Sequence, residues 1–206
     1  GHKRMVRYMN YALIQSLKIL GNTCTFIRTH EIPKGVPLII VSNHQSTYDI
    51  SPIQYHLDEH HVKFVSKKEL ERGIPSVSFN LRNGGSVLID RKNPRQALPA
   101  MKKFAEYLES NNYSGVIYPE GTRSKDGNPK RFTPSGLKIL VKNMPSAYIL
   151  PLTINNAWKI IEHGYWPMNI GVKATWTTHK PIKVAGRDFD ELFKEVEDTV
   201  KGAVQL

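Results

Sequence analysis

Two short segments carry side chains that could do chemistry together. The first is Ser42-Asn43-His44-Gln45-Ser46-Thr47-Tyr48-Asp49, directly after the apolar run Pro37–Val41. An imidazole can accept and return a proton near neutral pH, and a carboxylate beside it fixes the tautomer and steadies the cation. His44 and Asp49 stand five positions apart. Within one regular helix that spacing is about 140° of rotation, so the two would not face each other. They meet only if His44 lies in a loop and Asp49 in the first turn of the helix that follows. His44 would then be a general base and Asp49 the acid that orients it. A plainer account is equally consistent with the spacing. Ser46-Thr47-Tyr48-Asp49 has the form of a capping box, and an acid in a first turn suits the helix dipole without any catalytic role.

The second segment is Tyr118-Pro119-Glu120-Gly121-Thr122-Arg123-Ser124, again after a short apolar run. Gly121 permits a positive φ or a close backbone approach. Thr122 and Ser124 supply hydroxyls, and Arg123 a planar guanidinium that matches phosphate. Glu120 could hold Arg123 or accept a hydroxyl proton. A solvated Glu–Arg pair on a surface turn would look the same and would contribute little. Two smaller elements join these: Gly85-Ser86-Val87-Leu88-Ile89-Asp90-Arg91, an apolar run closed by an acid and a base, and Lys67-Lys68-Glu69-Leu70.

The elements that must position these groups can be read from periodicity. Residues 3–20 form an amphipathic helix, with Val6, Met9, Leu13, Leu17 and Leu20 at spacings of three and four and Lys3, Arg4, Arg7 and Lys18 around them. Strands are expected over 37–41, 62–66, 86–90, 116–118 and 148–154, and within 168–185. Helices are expected over 49–60, 75–83, 95–110, 134–143 and 188–202, with Pro134 suited to a first turn. Strands alternating with helices predict an α/β fold, a single domain with a mixed, largely parallel sheet flanked by helices and preceded by the N-terminal amphipathic helix.

The chain has 206 residues, enough to bury a core without staples. Its formal net charge is +11, which calls for an anionic partner. Cys24 is the single cysteine, so neither an internal disulfide nor a cysteine-based zinc site can form. No stretch of 18 uninterrupted apolar residues predicts a spanning helix, and no signal peptide is expected. His56 and His60 have the spacing of a metal pair, but no third ligand lies nearby in sequence. Zinc-finger and RNP-type patterns are absent, as is the Gly-x-Ser-x-Gly elbow of serine hydrolases.

Taken in order, the segments resemble the glycerolipid acyltransferases, most closely the 1-acyl-sn-glycerol-3-phosphate (lysophosphatidic acid) acyltransferases. That family's His-x4-Asp block is met by His44 and Asp49, and its block ending in a base by Leu88-Ile89-Asp90-Arg91. Its Pro-Glu-Gly-Thr-Arg-Ser block is met without change by residues 119–124, and its proline-centred apolar strand by Ile149-Leu150-Pro151-Leu152. Lys67-x-Glu69-Leu70 and Phe132-Thr133-Pro134-Ser135-Gly136 also fit. Leu88 stands where the family often has an aromatic residue.

The resemblance implies direct transfer of a fatty acyl group from acyl-CoA or acyl-carrier protein to the hydroxyl of a lysolipid acceptor. His44 would be the base and Asp49 its orienting acid. Lys67, Arg91, Glu120, Gly121, Thr122 and Arg123 would bind substrate, with Arg123 on the acceptor's phosphate. It implies no cofactor and no metal beyond that acyl-donor co-substrate. Residues 1–30 would form a membrane-associating segment and residues 31–206 the acyltransferase domain. The protein would work at an anionic membrane surface, on the cytoplasmic face, peripheral or interfacial, with no nucleic acid partner. The acceptor could also be a lyso-aminolipid or another lysophospholipid. A non-catalytic basic membrane-binding module is the rival from outside enzymology.

Overall fold

The computed structural model describes residues 2–67, 84–90 and 93–205. The helix expected over 75–83, the Lys68-Glu69-Leu70 stretch and Arg91 lie outside these residues.

The chain opens with α1, His2–Leu17, which tightens into a 3-10 turn over Lys18–Leu20 and stops at Gly21 in the left-handed conformation. The strands are β1 (Thr23–Arg28), β2 (Leu38–Ser42), β3 (Lys63–Lys67), β4 (Val87–Ile89), β5 (Gly115–Ile117), β6 (Tyr148–Asn155), β7 (Lys173–Thr178) and β8 (Ile182–Lys183). The remaining helices are α2 (Ile50–His56), α3 (Pro94–Asn111), α4 (Pro134–Asn143) and α5 (Phe189–Gly202). Local chemistry sets their starts. Asn93 caps α3 by accepting from Gln96 N–H, with Pro94 in the first turn. Asp188 caps α5 by accepting from the N–H groups of Asp190 and Glu191.

Among the described residues the sheet runs β1-β7-β6-β2-β5-β3-β4, with β8 also paired to β6. All pairings are parallel except those of β6 with β7 and β8. The expected α/β architecture with a mixed, largely parallel sheet is therefore the one observed.

β2 lies at the centre and is buried on both faces, as expected for a strand of continuous branched residues. Ile39 and Val41 face a core shared with Phe104 and Leu108 of α3, Leu137 and Leu140 of α4 and Val196 of α5. Leu38 and Ile40 face the opposite core, with Leu17 of α1, Ile53 of α2 and Trp176 of β7. Each such aliphatic side chain removed from water contributes roughly 1.5–3 kcal/mol.

Two details differ from the sequence reading. The segment taken as an N-terminal unit, residues 1–30, contains β1, which pairs along its whole length with β7 and so belongs to the sheet. The inward stripe of α1 is Val6, Asn10, Ile14 and Leu17, whereas Met9 and Leu13 of the expected stripe are exposed. Asn10 is tolerated inside because its amide donates to the Val6 carbonyl and to Gln54 of α2. The helix is thus apolar on two faces, and counting periodic positions alone selected residues from both.

Candidate active site

Parallel strands all end at one edge of a sheet, and loops leaving that edge converge where neighbouring connections diverge. β2 pairs with β5 on one side and β6 on the other, both parallel. The loop after β2 carries His44, the loop after β5 carries Glu120 to Arg123, and β6 ends at Asn155 beside them. β3 and β4 end at the same edge, so Lys67 closes β3 opposite Ile89 of β4. The segments that were distant in sequence meet because the crossover connections are parallel.

Within the first loop, His44 precedes the helical turn and Asp49 lies inside it. Ser46 is the N-cap of a 3-10 turn over Thr47–Asp49 that runs into α2. Asp49 Oδ2 accepts from the N–H groups of Gln45 at 2.7 Å and Ser46 at 3.0 Å, and sits 2.8 Å from His44 Nδ1. Capping and orienting are therefore one arrangement. A single carboxylate oxygen closes the capping box and fixes the imidazole. Asp49 is fully buried, and its Oδ1 has no hydrogen-bond partner among the described residues.

A carboxylate only accepts, so His44 Nδ1 is the protonated nitrogen and Nε2 carries the free lone pair. The ring lies stacked on Tyr118, 4.2 Å between centroids at 17°. Its side chain retains 18 % of its exposure, so Nε2 remains within reach of a ligand. Tyr118 is enclosed, and burial followed by the Asp49 charge pushes its phenol well above the usual range. It serves as an uncharged platform.

The second loop is tied to the first. Glu120 is buried, and its two oxygens accept from the backbone N–H groups of His44 at 3.0 Å and Lys130 at 3.1 Å. Its carboxyl is raised by burial, an effect opposed by these two backbone bonds. Glu120 thus holds the main chain of His44, and its oxygens are not spent on Arg123. Ser124 N–H donates to the His44 carbonyl at 2.7 Å, a second link between the loops. Gly121 has φ +72° and donates to the Tyr118 carbonyl, closing the turn that the sequence anticipated.

Thr122 and Arg123 are exposed at the mouth. Lys130 Nζ donates to the Arg123 carbonyl, which fixes its main chain.

Several contributors carried no recognisable motif. Asn43 exchanges two hydrogen bonds with the Ile154 backbone, and Gln45 accepts from Ala157 N–H. Both amides are buried and lock the loop to β6. Tyr165, in the long excursion between β6 and β7, donates to Thr47 Oγ1 at 3.3 Å. The run Tyr165-Trp166-Pro167 in a polar loop was the available signal for it. His56 stacks on Phe26, and no group of three or more metal-ligating side chains occurs among the described residues.

An apolar cleft of about 280 Å³ opens beside the Tyr118–Gly121 turn. It runs between α3 and α4 and is lined by Val65, Ile89, Met101, Ile117, Gly136 and Ile139, among others. Among the described residues no helix is long and apolar enough to cross a membrane.

Comparison with known proteins shows what the chain is similar to. Residues 24–155 match the acyltransferase family. A 1-acyl-sn-glycerol-3-phosphate acyltransferase of Helicobacter pylori is 36 % identical over 127 residues, which are 60 % of this chain and 51 % of that protein. A chloroplastic 1-acyl-sn-glycerol-3-phosphate acyltransferase of Arabidopsis thaliana is 29 % identical over 170 residues, 82 % of this chain and 46 % of that protein. The crystal structure of the 1-acyl-sn-glycerophosphate acyltransferase of Thermotoga maritima is similar with a TM-score of 0.77 at 28 % identity, covering 97 % of this chain and 77 % of that one. The chain spans about half the length of the curated relatives it matches. With the His44–Asp49 pair and the 119–124 loop both inside the matched span, this chain belongs to the acyltransferase family.

Proposed function

We propose that the protein transfers a fatty acyl group from an acyl thioester, acyl-CoA or acyl-carrier protein, to the free hydroxyl of 1-acylglycerol-3-phosphate, yielding phosphatidic acid. The observation that carries this reading is the 2.8 Å contact between His44 Nδ1 and Asp49 Oδ2, which leaves Nε2 as a base at the sheet edge facing the Arg123 loop.

In the proposed reaction His44 Nε2 takes the proton of the glycerol hydroxyl as its oxygen attacks the thioester carbonyl. Asp49 stabilises the imidazolium so formed. The carbon–sulfur bond then breaks, and the imidazolium returns its proton to the departing thiolate. No acyl-enzyme is needed, because the hydroxyl attacks directly. Arg123 holds the acceptor's phosphate through its guanidinium fork, with Thr122 beside it and Gly121 shaping the turn. Glu120 acts indirectly, by fixing the backbone of His44. Lys67, the last residue of β3, and Arg91, which the family resemblance singles out, are further candidates for phosphate contact. The apolar cleft beside Tyr118 suits a hydrocarbon chain.

The same proposal places the protein on an anionic lipid surface. The outer face of α1 exposes Met5, Tyr8, Met9 and Leu13, with Arg4, Arg7 and Lys18 around it. Near its end, Ile19, Ile170 and Trp166 keep 86 %, 78 % and 90 % of their exposure. Apolar faces bordered by basic residues are what an interfacial element presents to lipid.

The test is purified protein with vesicles, a panel of lysolipids and both donor types, with products read by mass spectrometry. His44→Ala should lower turnover by about 10²–10⁴-fold, the usual contribution of a general base, with the fold intact by circular dichroism. Near-normal turnover in that variant would remove the proposed base.

A further inference from the structure

The excursion between β6 and β7 is anchored more firmly than an ordinary surface loop. Buried Asn22 donates to the Asn169 carbonyl and accepts from Val172 N–H, both at 2.8 Å. Asn169 in turn donates to the Lys159 carbonyl at 2.7 Å, and Gly171 N–H donates to the Leu20 carbonyl at 2.9 Å. Tyr48, from the catalytic loop itself, points its hydroxyl at Met168 Sδ, 3.7 Å away. These ties fix both ends of an arm whose middle reaches back over the site.

At that point Tyr165 meets Thr47, two residues before Asp49, at 3.3 Å. The Arg123 side chain and its charge act on the same phenol. Burial pushes the Tyr165 phenol up, but the bonds to Thr47 and Arg123 and the Arg123 charge outweigh it, and its pKa is lowered overall. A phenol and an aliphatic hydroxyl thus meet from two separate loops, under the charge of Arg123 from a third. The nearby carboxylates among the described residues are committed elsewhere, Glu120 to two backbone N–H groups, Asp49 Oδ2 to His44 and its loop, Asp126 to Ser124 and Asn128, and Glu162 to Asn169. A cluster of donors without a free carboxylate is suited to an anion.

We infer that Tyr165 is a member of the acceptor-phosphate site, its hydroxyl binding the same phosphate as Arg123 and selecting phosphate-bearing acceptors over uncharged ones. This rests on the acyltransferase reading and on Arg123 as the phosphate holder. Trp166 and Ile170 are exposed on the same arm. An arm seated in the lipid interface would carry Tyr165 at the depth where a lysolipid headgroup lies.

The experiment compares Tyr165→Phe, Arg123→Ala and the unaltered protein on 1-acylglycerol-3-phosphate and on monoacylglycerol in vesicles of fixed composition. Tyr165→Phe removes one oxygen from an exposed side chain and should fold normally. It should raise KM for the phosphate acceptor about tenfold, the usual loss for one hydrogen bond to a charged group. Turnover number, KM for the donor and KM for monoacylglycerol should stay within about twofold. A purely structural role would move these together, so the split is the diagnostic readout. If Arg123→Ala weakens the phosphate acceptor selectively while Tyr165→Phe does not, the inference about Tyr165 is overturned and the phosphate site stands. Discrimination that survives Arg123→Ala overturns the phosphate site and the inference with it.

Discussion

Replacing Asp49 by Asn separates the two duties that its carboxylate performs. Asp49 Oδ2 receives the His44 ring and two backbone N–H groups, while Oδ1 is buried without a partner among the described residues. In Asp49→Asn the amide oxygen can take the place of Oδ2 and keep all three contacts, so the loop and the tautomer survive. The new NH2 then occupies the Oδ1 position, where an unmet buried donor costs about 1–3 kcal/mol of stability.

On the proposed mechanism, what disappears is the negative charge beside the imidazolium of the transition state. With charge centres roughly 4 Å apart and an effective dielectric near 20, that attraction is about 4 kcal/mol. At 1.36 kcal/mol per decade this predicts a loss of about 10³ in turnover number. The assay follows released thiol continuously with acyl-CoA and 1-acylglycerol-3-phosphate, at a temperature where denaturant melts show both proteins folded.

Ser46→Ala is the control. Ser46 Oγ accepts from Tyr48 N–H but does not touch His44, so its loss should cost about 1 kcal/mol of stability and leave turnover within a few-fold. Should Asp49→Asn retain more than a tenth of the activity, or Ser46→Ala lose as much, Asp49 would be a cap alone and the electrostatic argument would fail.

Two further outcomes follow from the geometry. Glu120→Gln keeps one acceptor but faces a second backbone N–H with an NH2, so unfolding should become easier by about 2–4 kcal/mol in urea melts. Turnover should fall as the His44 main chain is released; unchanged stability would show that the loops are not clamped through this side chain. Cys24 is raised from 9.0 to about 11, first by burial and then by the Asp49 charge. A thiol at that value is ionised to roughly one part in 300 at pH 8.5, against about a quarter at the unshifted value. Iodoacetamide should therefore alkylate the native protein on the order of 100-fold more slowly than the urea-unfolded chain, and equal rates would contradict the shielding.

The sequence made the sheet legible because its strands are dense branched runs and its helices have clear starts, as at Pro94 and Pro134. β1 escaped notice because Thr23–Arg28 is half-exposed and mixed in character, an edge strand defined by its partner β7 rather than by its own pattern. His44, Asp49 and Arg123 were legible as residue types at particular spacings. The choice between cap and orienting acid was not, because spacing does not say that one oxygen can do both.

Glu120 was misplaced for a related reason. A glutamate three residues before an arginine suggests an ion pair, yet its carboxylate turns inward to main-chain donors 76 and 10 positions away. Tyr165 lies 118 positions from Thr47, and the aromatic run around it signals an unusual loop without naming that partner.

These placements suggest why the two loops carry so many groups that never meet substrate. A general base works only if its nitrogen is held near the reacting hydroxyl, and misplacement by about 1 Å can cost on the order of 100-fold. His44 sits in a loop, where entropy opposes that precision. The structure offsets it by binding the His44 backbone at both polar atoms, N–H to Glu120 and C=O to Ser124, and its ring to Asp49. Glu120 and Ser124 flank Arg123 in sequence, so on the proposed mechanism the residues that fix the base also fix the start of the phosphate arm. The separation between base and phosphate site is then set by two hydrogen bonds within one turn rather than by the flexible length of either loop. On this account a substitution at Glu120 changes the distance from base to phosphate as well as the stability. It should penalise the phosphate acceptor, which spans both sites, more than an uncharged acceptor that occupies one.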